Sequence, residues 1–488
     1  MEKKDLAPSR RTFLKGAALA SAGGVAAAAN GMIAYDSPAP AIRPNVLMIC
    51  SDQFRADFIG AHRQNPSTRT PFLDAMARRG VLCSNTICNQ PLCSPSRASF
   101  LTSRHATETG VWKLGLELDH KVPTIAECFN QAGYSTHFVG KWHVSGNRKN
   151  DGSENLGWIP PGPSRAGFQT WEGANVTEVV SHPYEGSYWD DEGNDLKYHD
   201  QYRVDFTVER AVRILEQPHD KPWFMFLSQL EPHQQNDVDE FVAPNGYAEN
   251  FRDPFVPPDL IHLKGNWQSH LPGYYGCVQR IDESVGRVLA VLEKQNQLKN
   301  TIVVFFSDHG CHFRTRIGEY KRSPHEASLR VPFIVQGPGF DVATELRQQV
   351  TLLDLAPTLL HAAGIVPPST MRGRPIQHLL HDAEARAKWD DAPAYIQISG
   401  SMCARAIRTP EWCYCVYDPE TEGNQKPSSI NYTEWALYSL VGDPVEQYNL
   451  IGRPEYKDVT AKLRDMLRDQ IVAAGEPPAT IKPVIIYN

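Results

Sequence analysis

No stretch of this 488-residue chain is long and apolar enough to read as a membrane span. The most apolar N-terminal run, Gly16 to Ala29, is short and built largely of Ala and Gly, below the ~20 strongly apolar residues a bilayer demands. A basic excess is missing too. The 49 Lys and Arg are outnumbered by 56 Asp and Glu, and no long basic run offsets the formal charge of −7, which argues against a general nucleic-acid binder. Nor do the ten cysteines form a compact framework. They are scattered at 50, 83, 88, 93, 128, 277, 311, 403, 413 and 415, and no disulfide pairing is assigned. The sequence shows no internal repeats, and its one low-complexity tract is the Ala-rich N-terminus. What is left is ordinary globular composition, 41% hydrophobic and 22% charged, in a chain long enough to bury a sizeable core.

The first residues carry an address. Ser9-Arg10-Arg11-Thr12-Phe13-Leu14-Lys15 precedes the Ala-rich run, with small residues near Ala27 and Ala29, the pattern of a bacterial twin-arginine signal and its cleavage site. Residues 1–35 are therefore read as signal peptide and linker, and the mature protein is expected in the periplasm or outside the cell. Residues 1–30 hold five basic and two acidic side chains, so their loss takes the formal charge from −7 to −10.

Beyond the leader, continuous apolar runs at Asn45–Cys50 and Thr301–Phe306 read as strands buried on both faces. Ser135–Val139, Trp223–Leu227 and Val331–Val335 read as further strands. Between them lie helical patterns at Thr70–Arg79, Thr124–Ala132, Val204–Leu215, Gly276–Lys294 and Leu352–Ala363; the first has Pro71 near its start and Gly80 after its end. This alternation predicts an α/β fold with a mostly parallel central sheet and helices on both faces, over residues 44–370. From residue 371 to 488 the pattern changes to short antiparallel strands (Ala394–Ser399, Ala404–Arg408, Trp412–Tyr417) and a terminal helix near Val459–Ala474, a small α+β subdomain. Cys413 and Cys415, two apart on a strand, are expected to face one side.

The polar candidates fall just past strand ends. Asp52 and Gln53 follow the first strand, Lys141 and His143 the one ending near Val139, His233 the one ending near Leu227, and Asp308 and His309 the one ending at Phe306. Open α/β sheets bind ligands outside the carboxyl ends of their strands. The sharpest local pattern is Cys93-Ser94-Pro95-Ser96-Arg97. A helix beginning near Ser94 sets positions 93 and 97 on one face at its N-terminus, where the dipole favours an anion. Thiolate phosphatases space Cys and Arg by five residues; three lie between them here, so no such phosphate loop fits.

Together with Gly140-Lys141-Trp142-His143 and Ser307-Asp308-His309-Gly310, this ordered set resembles the type I sulfatases of the alkaline-phosphatase superfamily, over about Pro44 to Leu450. The resemblance implies that Cys93 is oxidised to formylglycine by a maturase. The hydrated aldehyde then attacks sulfur, releases the alcohol, and expels sulfate as the aldehyde re-forms. It implies Asp52, Gln53, Asp308 and His309, with the residue at 93, as ligands of one divalent metal. That metal is usually calcium; the family often has Asp at position 53 and Asn at 309, so the imidazole here leaves magnesium or manganese open. It implies a catalytic place for Arg97, sulfate contact for Lys141 and Lys321, contact with the formylglycine hydroxyl for His143, and His233 or Lys321 as general acid; His325 is a secondary candidate. Ser103 stands where the family commonly has Gly.

The implied substrate is a small-molecule or oligosaccharide sulfate ester. Twin-arginine export, which carries folded proteins, suits a site finished in the cytoplasm. Phosphonate monoester and phosphodiester hydrolases of the same superfamily remain an alternative, as does a non-catalytic carbohydrate-binding relative. Two irregular stretches, 144–200 and 234–272, are read as site-lining loops or surface decoration, and the aromatics between Trp158 and Trp189 as a surface able to stack on a sugar.

Overall fold

Apolar residues in the central strands alternate between two cores, one on each face of a single large sheet. The computed structural model describes residues 43–149 and 151–484; the twin-arginine segment lies outside them. In chain order the strands of the large sheet are β1 (Asn45–Ser51), β2 (Val81–Cys83), β3 (Ser135–Lys141), β4 (Thr170–Ala174), β5 (Glu185–Trp189), β6 (Asp195–His199), β7 (Trp223–Gln229), β8 (Thr301–Ser307), β9 (Phe333–Gln336) and β10 (Thr344–Leu346). Their spatial order is β10-β2-β9-β8-β1-β7-β3-β4-β5-β6. The five central strands, β8-β1-β7-β3-β4, pair in parallel.

Val46, Met48 and Cys50 of β1 enter one core, and Leu47 and Ile49 the other. In β8, Ile302, Val304 and Phe306 divide from Val303 and Phe305 in the same way. Helix α2 (Cys93–Thr102) packs Ala98, Phe100 and Leu101 into the first core. Helices α1 (Pro71–Arg79), α3 (Arg203–Leu215) and α4 (Trp267–Lys294) fill the second. Each fully buried Leu, Ile, Val or Phe contributes ~1.5–3 kcal/mol, so burial on both faces explains why these strands are apolar without interruption.

Three features differ from the sequence reading. Val331–Val335 is two strands, because Pro332 has no N–H for the ladder. Arg330–Val331 joins a separate three-stranded sheet, and β9 runs antiparallel to β8. The 144–200 stretch holds β4 and the β5–β6 hairpin, which extend the sheet. Helix α4 begins nine residues earlier than its apolar spacing indicated, at Trp267, and runs through Pro272.

The C-terminal sheet holds Ala394–Ile398, Ala404–Arg408, Trp412–Tyr417 and Asn431–Ser439 in antiparallel succession, with Thr480–Lys482 parallel at its edge. Helix α5 (Lys457–Ala473) covers one face through Leu463, Leu467 and Ile471. Cys413 and Cys415 share the opposite face, against Ile87 and Leu329. All ten cysteines are free and buried.

Candidate active site

Register explains why residues distant in sequence meet. Ser51, the last residue of β1, pairs with Ser307 of β8 and with Gln229 of β7. The next residues along, Asp52 and Asp308, therefore emerge side by side. Gly140 lets β3 approach β7 closely: its φ is 109°, and a Cβ there would sit 1.9 Å from the Ser228 carbonyl oxygen. Lys141 and His143 follow immediately. Cys93 is the first residue of α2, a helix buried along its whole length, whose N-cap Leu92 supplies no side-chain cap. Free amide groups at such a terminus are a ready anion site.

One ligand atom each from Asp52, Cys93, Asp308 and His309 lies within 4.8 Å of all the others. The Cys93 Sγ is 3.3 Å from His309 Nε2 and 3.7 Å from Asp52 Oδ1. Gln53, at φ 68°, donates its backbone N–H to Asp308 Oδ1 (3.2 Å) and its side-chain NH2 to Gln234 Oε1 (2.8 Å). Its own Oε1 is a buried acceptor with no hydrogen-bond partner. Two carboxylates, an imidazole nitrogen and an orphaned amide oxygen are a donor set that fits a divalent cation.

Positive groups surround the carboxylates. The buried Arg97 guanidinium donates to Asp308 Oδ2 (3.1 Å) and Asp52 Oδ2 (3.2 Å), and also to the Lys141 carbonyl and Ser228 Oγ. Lys141 Nζ reaches Asp52 Oδ2 at 2.8 Å and Glu178 Oε1 at 3.1 Å. Lys321 Nζ lies 3.0 Å from Cys93 Sγ, 3.0 Å from His233 Nε2 and 3.2 Å from His309 Nε2.

These contacts set the charge states. Burial and Cys93 push the Asp52 carboxyl up, but Lys141, His233 and Lys321 outweigh them and hold it well below the usual carboxylate range. Burial and the charge of Asp52 raise Asp308. Burial opposes a Cys93 thiolate, yet Lys141, Lys321 and His309 draw its pKa well below that of an ordinary thiol. Burial, then Lys321, lowers His233. Burial would lower His309 too, but Asp308 outweighs it and raises it, so burial and Lys321 favour the neutral form at His233 while the carboxylate favours the charged form at His309.

The nine residues singled out at the strand ends and on the Cys93 helix (Asp52, Gln53, Cys93, Arg97, Lys141, His143, His233, Asp308 and His309) and Lys321, ten in all, are buried. A cavity of about 180 Å3 opens onto Cys93, Glu178, His233 and Lys321, with Arg314 and Arg322 also lining it. A larger hollow of about 370 Å3, lined by His182, Tyr184 and Asp237 among others, contains none of the ten. His325 does not join them; its ring bonds Ser323 and Tyr438. Sequence reading missed Glu178, whose partners are Lys141 and His143. Trp171 and Tyr188 are core residues, packed against Phe138 and Phe206 respectively, so they form no sugar platform. Ser103 ends α2 in the left-handed conformation, φ 54°, which explains why Gly is common there. Its hydroxyl donates to the Leu353 carbonyl and accepts from Gly373 N–H.

Comparison with known proteins decides the family. The sulfatase family model matches residues 44–365, well over half of the chain. The chain belongs to the sulfatase family. A second model, described as the N-sulphoglucosamine sulphohydrolase C-terminal region, matches residues 318–473 of this sulfatase. An ulvan-active sulfatase of Formosa agariphila is 29% identical over 89% of this chain and 82% of its own length. A choline-sulfatase of Rhizobium meliloti is 26% identical, over 84% of this chain and 83% of its own. A solved Bacteroides thetaiotaomicron structure from glycosaminoglycan metabolism superposes with a TM-score of 0.78 at 22% identity, covering 89% of this chain and 97% of that one. A phosphonate monoester hydrolase of Agrobacterium radiobacter shares the fold, with a TM-score of 0.67 at 20% identity over 89% and 95%. The sulfatase is an enzyme, a sulfuric ester hydrolase. Among the described residues, no helix is long and apolar enough to cross a membrane.

Proposed function

We propose that this sulfatase removes sulfate from a sulfated saccharide, using formylglycine made from Cys93 and one divalent cation, calcium first among the candidates. The observation that carries the reading is the convergence of Asp52, Cys93, Asp308 and His309 on one buried point at the mouth of a helix. The orphaned Gln53 Oε1 supports a fifth, neutral donor. Formylglycine, once hydrated, would supply a nucleophilic hydroxyl that later collapses to the aldehyde, and the cation would lower the pKa of that hydroxyl and bear charge on the sulfuryl oxygens.

The chain's own residues orient and exchange protons. Arg97 locks both acids in place and keeps two adjacent carboxylates from repelling each other. Lys141 and Lys321 bring positive charge to a sulfuryl group sited next to position 93. His233, buried and in contact with Lys321 Nζ, is placed to share a proton with the departing oxygen. His143 stands at ion-pair distance from Glu178 and in reach of Cys93, suiting it to take the proton that leaves the hydroxyl when sulfate is expelled.

A saccharide substrate is supported by the relatives, which include an ulvan-active sulfatase and an N-acetylglucosamine-6-O-sulfatase. Arg10-Arg11 and the Ala-rich run that follows support twin-arginine export to the periplasm or beyond, after a cytoplasmic maturase has acted. The test is mass spectrometry of the Cys93 peptide together with rates on an aryl sulfate and a phenyl phosphonate. The reading expects loss of sulfur and two hydrogens with gain of oxygen, and a faster sulfate reaction. An intact thiol in active enzyme, or preference for the phosphonate, overturns it.

A further inference from the structure

Glu178 is the one carboxylate of the cavity that touches two of the residues given roles above without being a ligand candidate itself. It sits in the short helix Thr177–Val180, which directly follows β4 at the sheet's working edge. Its side chain is 8% exposed. Oε1 accepts from Lys141 Nζ at 3.1 Å and lies 3.3 Å from His143 Nδ1. Oε2 is buried with no hydrogen-bond partner, and His143 Nδ1, also buried, has none either, its 3.3 Å approach to Oε1 being an ion-pair contact. Burial raises the Glu178 carboxyl, but His143 and Lys141 more than compensate and bring it down to about 2. It is therefore an anion that has no role in the core, held by the Lys and the His of the Lys-x-His element.

We propose that Glu178 is a positioning residue for His143, with Lys141 Nζ holding its carboxylate in place. This inference rests on the reading of His143 as the base of the proposed reaction. A carboxylate facing Nδ1 makes Nδ1 the protonated nitrogen, so the lone pair is left on Nε2. That is the tautomer a base must have, and a contact slightly off hydrogen-bond geometry in a free site tightens when substrate fills it. The same oxygen accepts from Lys141 Nζ, which also donates to Asp52 Oδ2 at 2.8 Å, so the ammonium bridges the two acids and fixes the Glu178 carboxylate. His143 holds a left-handed backbone, φ 67°. Such a backbone persists only where surrounding contacts over-determine it, and Glu178 is one of those contacts.

The test uses the mature full-length enzyme and an aryl sulfate whose release is followed by absorbance. Glu178→Gln keeps size and removes the anion. The expected result is a fall in kcat of about 10- to 100-fold, with KM changed less than about threefold and formylglycine content equal to wild type by peptide mass. Glu178→Asp should recover part of kcat. In a His143→Ala background the same Glu178→Gln change should cost less than about threefold, because the group it orients is gone. Wild-type kcat in Glu178→Gln, or an effect confined to KM, or equal losses in both backgrounds, overturns the proposal. If the glutamine variant fails to fold, the aspartate variant in the two backgrounds decides the same point. An inactive or unmodified wild-type enzyme sinks the sulfatase mechanism instead, so the two failures are distinguishable.

Discussion

Replacing Arg97 by methionine should reveal how the two acids are balanced. The guanidinium is fully buried and spends its donors on Asp308 Oδ2, Asp52 Oδ2, the Lys141 carbonyl and Ser228 Oγ. Methionine fills much of the volume but leaves two buried carboxylates and two acceptors without that partner. Removing one side of a buried ion pair costs ~3–5 kcal/mol, and Lys141, still 2.8 Å from Asp52, keeps the loss near the lower end of that range. The deficit should depend on pH. In the native protein Asp308 is already raised, by burial and by Asp52; without Arg97 it rises further. A carboxyl with a raised folded pKa contributes stability that is present at low pH and lost as pH climbs through that pKa. The gap between wild type and Arg97→Met should therefore be small near pH 5 and widen towards pH 8. Urea unfolding of both proteins across that range, without and with added calcium, measures it; a bound dication should narrow the gap at pH 8. A gap below about 1 kcal/mol, or one that shrinks as pH rises, would refute the proposed charge balance.

Other consequences follow from the same contacts. Burial lowers both His105 and His137 to about 4; a base with a depressed folded pKa makes the fold less stable as pH falls below the unfolded value, so the unfolding free energy from urea titrations should drop between pH 6.5 and 4, by up to ~3 kcal/mol per fully shifted group. Gly140→Ala should destabilise by at least ~3 kcal/mol in chemical denaturation, since its Cβ would fall 1.9 Å from the Ser228 carbonyl oxygen. Lys321→Met should cut kcat on an aryl sulfate by ~100-fold or more while leaving the melting temperature close to wild type, because its contacts are with Cys93, His233 and His309 and not with the core.

Much of the site was readable because it follows strand ends. Asn45–Cys50 and Thr301–Phe306 are apolar throughout for a physical reason, burial on both faces, and in-register pairing then brings Asp52 beside Asp308. Cys93 and Arg97 were readable as one face of a helix start. Glu178 gave no such signal: its four-residue helix lies in a stretch without apolar period, and its partner Lys141 is 37 residues away. Two aromatics of that stretch misled for a related reason. Composition counts Trp171 and Tyr188 as available rings, but β4 and β5 turn them into the core. Pro332 was visible in the sequence, yet only pairing shows that it separates two sheets.

The most direct test is a crystal structure of active, mature enzyme with anomalous data for both sulfur and a divalent cation. Cation density bounded by Asp52, Asp308 and His309, beside a sulfur-free side chain at position 93, is the predicted result. A sulfur peak at 93 with no cation between the two aspartates, in protein that still hydrolyses sulfate esters, would contradict the mechanism.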